Sequence, residues 1–120
     1  GRDSVSIFGN NYDTKDGTCV RDYIHVNDLS DAHLKGIDYL NNANSKSECF
    51  NLGNNHGYSV KEVIQKVKDV TKKDFKVVQE FSRRGDPSVL IASNKKAKKI
   101  LGLSLNFTNL EKIILTLKTK

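Results

Sequence analysis

Methionine is absent from the sequence altogether. The chain therefore has no initiator, and it opens on Gly1-Arg2-Asp3 with almost no lead-in to a strand-like run. It reads as a piece cut from something longer. No apolar run approaches the ~20 residues that span a bilayer, and these residues show no secretory h-region. The expectation is a cytoplasmic protein without a membrane partner. Cysteine is nearly absent too. Cys19 and Cys49 lie thirty positions apart and in no C-x-x-C pair, so neither a zinc nor a redox motif is signalled, no metal site is expected, and reduced thiols are the natural reading.

Among 120 residues, 37% are hydrophobic, which allows one small domain or part of a larger one, with a thin core. Lys and Arg outnumber Asp and Glu by 20 to 14, for a net charge of +6. Such a balance suits nucleic acid or an anionic small molecule. Much of the excess is lysine, at Lys72-Lys73, Lys95-Lys96, Lys98-Lys99 and in the Lys118 to Lys120 tail. No aromatic stacking platform is interleaved with these lysines, so they read as solvated faces rather than a nucleic-acid surface.

The hydrophobic pattern outlines an α/β chain. Val5 to Phe8 and Val20 to Val26 alternate as strands. In the second, Arg21, Tyr23 and His25 share one face. A helix is expected from Asp28 to Asn42, with Asn27 as its N-cap and Asp28 and Asp31 favouring the positive end of the dipole. A strand over Glu48 to Leu52 would complete a βαβ unit with parallel strands. The stretch from Asn51 to Gly57 reads as a glycine-rich turn and lacks the G-x-G-x-x-G fingerprint. Ser59 to Glu62 is a capping box opening a helix that runs to about Lys72. Phe75 to Phe81 alternates as a strand, and Val89 to Ile91 is a short one. A short helix from Asn94 stops at Gly102. Thr108 to Glu111 is a second capping box, opening a last helix with Leu110, Ile113, Ile114 and Leu117 on one face.

Three groups of residues could carry chemistry. Arg21 and Tyr23, about 7 Å apart on one strand face, offer a guanidinium fork and a phenol suited to phosphate. A surface arginine on an exposed face is the alternative. Arg83-Arg84-Gly85-Asp86-Pro87 supplies cations, a backbone that can approach a ligand, and a carboxylate able to accept from a sugar diol. A polar turn with an internal arginine–aspartate pair is its alternative. His25 has no Ser or Cys nucleophile placed beside it, and a histidine held by hydrogen bonds is the simpler reading. His33 and His56 have no metal-ligand spacing.

Taken together, Arg2-Asp3-Ser4, Ile7-Phe8-Gly9-Asn10, Tyr12, Thr14, Asp16-Gly17-Thr18, Val20 to Val26, Asp28-Leu29, Phe50 to Gly53 and Arg83 with Gly85-Asp86-Pro87 resemble the UDP-glucose 4-epimerases. These form a branch of the extended short-chain dehydrogenase/reductase superfamily. The resemblance runs over essentially the whole chain. It implies the C-terminal part of a Rossmann-type reductase with its small α/β substrate-binding domain, residues 27–53 being the last helix and strand that return to the Rossmann sheet. The N-terminal NAD-binding domain, with its glycine fingerprint and Tyr-x-x-x-Lys pair, would be missing. No tyrosine here is followed four residues later by lysine, so no catalytic residue is expected.

The resemblance implies roles in holding UDP-glucose or UDP-galactose. Ser6, Ile7 and Phe8 match the strand that meets uracil. Arg21 and Arg83 match two arginines on the diphosphate, Tyr23 an aromatic beside them, and Asp86 the acceptor for the ribose hydroxyls. Leu90 falls at a gate beside the sugar, where a small residue admits N-acetylated sugars and tyrosine excludes them. Implied partners are the N-terminal half of the same enzyme, which binds the NAD, and a second copy in a homodimer. A dehydratase or decarboxylase of the same superfamily, a non-catalytic UDP-sugar binder and a small basic nucleic-acid module are the competing readings.

Overall fold

The computed structural model describes residues 2–42 and 44–117; Gly1, Ala43 and the basic tail at 118–120 lie outside it. Among the described residues there are five strands and four helices. In order they are β1 (Ser4–Phe8), β2 (Val20–Asp22), α1 (Val26–Leu40), β3 (Gly57–Ser59), α2 (Val60–Thr71), β4 (Lys76–Glu80), β5 (Val89–Leu90), α3 (Lys95–Leu101) and α4 (Leu110–Thr116). Two small sheets result. β1 pairs in parallel with β4, and β2 lies between antiparallel β3 and parallel β5. The alternating α/β character is as expected, but its strand pairing is not. Glu48 to Leu52 joins no sheet among the described residues, so the βαβ unit does not form among them. Gly57, read as the end of a turn, instead begins a strand, Gly57–Ser59, that pairs with the edge of β2.

The strand through Arg21 stops at Asp22, short of the Val26 expected for it. The reason is His25. Its backbone is extended, and its Nδ1 accepts the Asn27 N–H at 3.0 Å, so His25 and not Asn27 caps α1. With Nδ1 accepting, the ring proton sits on Nε2 and is given to Thr116 Oγ1 at 2.6 Å. The Thr116 hydroxyl in turn donates to the Ile113 carbonyl. Asp28 has a larger task than facing a helix dipole. It is fully buried, and its two oxygens accept the N–H groups of Asn106 and Phe107, each at 2.9 Å. The start of α1 is thereby tied to the loop before α4.

Local signals place the later helices. Ser59 and Glu62 form the capping box of α2, with Lys72 left-handed at its end. Gly102 stops α3. The cap of α4 is Asn109, one residue later than expected, because its side chain accepts the Lys112 N–H. Leu110, Ile113 and Ile114 are buried, whereas Leu117 is exposed. Ala32, Ala97 and Leu103 form a small core joined by Phe50, Leu52, Leu101 and Leu105. The radius of gyration is 17.1 Å, well above the ~13.6 Å of a compact domain of this length. A thin core and an extended shape agree. No helix among the described residues is long and apolar enough to cross a membrane.

Candidate ligand-binding surface

The end of β1 is where the expected site residues begin to meet. Gly9 donates its N–H to the Glu80 carbonyl. In a parallel pair alternate residues face the neighbour, so residues 5, 7 and 9 turn toward β4. The N–H and C=O groups of Ser6 and Phe8 therefore point away from it, along an edge that no described strand covers. A groove of about 620 Å³ lies there, lined by Arg2, Asp3, Ser4, Val5, Ser6 and Phe8. Ile7 is buried, while Phe8 is partly exposed.

At the head of this groove the Arg83 guanidinium lies over the Phe8 ring, 4.8 Å from its centroid. Arg83 also donates from Nε and Nη2 to Asp86 Oδ2, both at 3.0 Å. Gly85, at φ 88°, makes the turn that brings the pair together. The internal arginine–aspartate pair thus exists, and the Asp86 carboxylate expected to face a sugar diol is engaged by Arg83.

Arg21 and Leu90 come together across the second sheet, as register partners on β2 and β5. Leu90 is largely exposed. Arg21 donates to the Val20 carbonyl at 2.8 Å. Tyr23 lies beyond the end of β2 rather than on its face, and burial pushes its phenol up, with Arg21 pulling the other way. No ion pair or hydrogen bond among the described residues joins the Arg21 pair to the Phe8 cluster.

Three acidic residues hold this part of the chain in place; local pattern gives Asp16 and Asp22 no such role and marks Asp28 only as a helix-start residue. Asp22 accepts the N–H groups of Asn54 and Ala92. Asp16 accepts from the Thr18 N–H and hydroxyl and from Ser59 Oγ, fastening the 10–18 loop to the start of α2. Burial works against its charged form, but these bonds outweigh it and hold the carboxyl below its ordinary range. Asp28 was described above. Their partners are mostly backbone groups far along the chain, which no local motif displays. Tyr12, one of the residues that carry the resemblance, is given no role by the sequence. Its hydroxyl is buried with no hydrogen-bond partner, and burial, then the Cys19 thiol, push it up.

A Cβ on Gly53 would lie 2.2 Å from Asp22 Oδ2, and one on Gly57 would lie 2.5 Å from Val20 Cγ1. Both glycines admit the chain's own atoms rather than a ligand, so no NAD contact is assigned to them. Among the described residues no cluster of three or more His, Cys, Asp or Glu is placed to hold a metal.

No protein-family model matches the chain. Curated relatives do. It is 46% identical over 115 residues to the UDP-glucose 4-epimerase of Lacticaseibacillus casei, covering 96% of this chain and 34% of that protein. Over nearly its whole length the chain is similar to the C-terminal part of UDP-glucose 4-epimerases. It spans about a third of the length of the relatives it matches, corresponding to their C-terminal part. Solved structures agree. The UDP-Glc/GlcNAc 4-epimerase of Campylobacter jejuni superposes with a TM-score of 0.79 at 50% identity, over 94% of this chain and 34% of that one. The UDP-glucose 4-epimerase of Bifidobacterium longum in complex with NAD+ and UDP gives a TM-score of 0.86 at 35% identity, over 94% and 33%. The fold is therefore that of part of an extended Rossmann-type reductase.

Proposed function

We propose that this chain supplies the UDP-gripping wall of an NAD-dependent UDP-glucose/UDP-galactose 4-epimerase. The observation that carries the reading is the open edge of β1. Outward N–H and C=O groups two residues apart offer a donor and an acceptor to the edge of a pyrimidine, and Phe8 stands ready to stack on its face. Arg83 and Asp86 follow at the head of the groove, where a diphosphate and a ribose diol would lie. Arg21 on the second sheet and Tyr23 just beyond β2 extend the wall along the diphosphate, and Leu90 on β5 carries it toward the sugar.

Chemistry at C4 would belong to the remainder of such an enzyme, where bound NAD would supply hydride transfer. The apolar flank of α1 supports such a remainder. Leu34, Ile37 and Leu40 are exposed there, beside a groove of about 320 Å³ lined by Phe50, Leu52 and Leu101. Residues 27–53 would pack on the N-terminal domain along this face. A cytoplasmic setting, a place in galactose metabolism and a homodimer belong to the same reading. The relatives and neighbours favour an epimerase over a dehydratase or decarboxylase.

Calorimetric titration of UDP into the intact protein tests it. Arg83→Ala and Arg21→Ala should each weaken binding at least about tenfold, as lost charge-assisted bonds do. Unchanged affinity would remove the assigned roles. Conversion of UDP-galactose to UDP-glucose, followed by product analysis, tests the reaction itself.

A further inference from the structure

The guanidinium of Arg83 has two partners at once, and both are groups that a nucleotide would need. It lies over one face of the Phe8 ring and holds the Asp86 carboxylate through two donors. A planar base stacks at about 3.5–4 Å between atoms. It cannot share the Phe8 face with a cation centred 4.8 Å from the same ring. Arg83 must therefore leave before a base can stack there.

What draws it away is a matter of charge. Asp86 offers one oxygen, Oδ2, and the Arg83 side chain is 63% exposed, so the pair is well screened. A diphosphate carries more charge and presents several oxygens in the spacing of the guanidinium fork. A nucleoside brings a base for Phe8 and a diol for Asp86, but no anion for the guanidinium they displace.

We propose that Arg83 is a specificity-determining residue that admits the base of a nucleotide only when a diphosphate takes the guanidinium from Phe8 and Asp86. The site then discriminates against nucleosides, beyond the contacts they lack, because they must displace Arg83 unaided. The proposal rests on the UDP reading above and deepens it.

It predicts opposite signs for two ligands on one variant. In the intact protein Arg83→Ala should weaken UDP and tighten uridine, the latter by about fivefold, the scale of one exposed ion pair with a cation–π contact. In a Phe8→Leu background, which removes the contested face, Arg83→Ala should change uridine affinity less than about twofold. Titration calorimetry reads both ligands. Weaker UDP with unchanged or weaker uridine overturns the proposal and leaves the UDP reading standing. Unchanged UDP overturns both.

Discussion

The imidazole of His25 lies flat against the ring of Phe107, centroids 3.9 Å apart and planes 20° from parallel. Three residues on from His25, Asp28 takes the Phe107 N–H. One short stretch at the start of α1 thus grips the loop before α4 by ring stacking and by a buried carboxylate.

Asp28→Ala should cost about 3 kcal/mol or more. Two charge-assisted bonds vanish and the N–H groups of Asn106 and Phe107 lose their acceptor. The denaturant midpoint of the variant against the parent measures it. A loss under about 1 kcal/mol would mean that water replaces the carboxylate freely.

Asp16 makes stability fall with acid. Its folded carboxyl is held below the ordinary value, so its contribution is fully present above the unfolded pKa of about 3.9 and is lost as pH drops through the lower folded value. Compared with Asp16→Asn, the parent should be more stable at pH 6, and the gap should close as pH falls below about 4. Urea midpoints of both proteins across that window check it. A gap independent of pH would assign the effect to packing instead.

Gly17 has φ 81°, and a Cβ there would lie 2.1 Å from the Asn10 carbonyl oxygen. Gly17→Ala should destabilise by about 2–4 kcal/mol, since the backbone conformation and the contact both resist it. Thermal unfolding would show the loss, and a change below about 0.5 kcal/mol would mean that the loop reforms elsewhere.

Removing the Tyr12 hydroxyl should do no harm. A buried polar atom without a partner costs free energy, so Tyr12→Phe should be neutral or stabilise by about 1 kcal/mol. A clear drop in the denaturant midpoint would reveal a bond from that hydroxyl.

Leu90 sits across from Arg21 with its side chain largely open. Under the proposed function, Leu90→Tyr should lower kcat/KM for N-acetylated UDP-sugars relative to UDP-galactose. Equal ratios in parent and variant would remove Leu90 from the sugar gate.

How legible this was depended on range. The capping box at Ser59 and Glu62 and the Gly102 stop involve neighbours in sequence, and both stand as read. Alternation in Glu48 to Leu52 describes a strand, but a strand also needs a partner, and none of the described residues provides one. Asp22 and Asp28 bond backbone N–H groups more than thirty residues away, and a carboxylate's distant partner leaves no local trace. The expected site residues were found by likeness to a family. Spacing alone offers Arg83 and Asp86 either a ligand or each other, and in the structure they pair with each other.

The tie between Asp28 and residues 106–107 also orders events at the ribosome. Synthesis proceeds from the N-terminus at roughly 5–20 residues per second, so α1 emerges seconds before the donors that its carboxylate requires. Until then Asp28 must stay in water, because burying it unpaired would be costly. The small core around Ala32 can therefore close only late, and a transcript cut short before residue 106 would yield a chain unable to complete it.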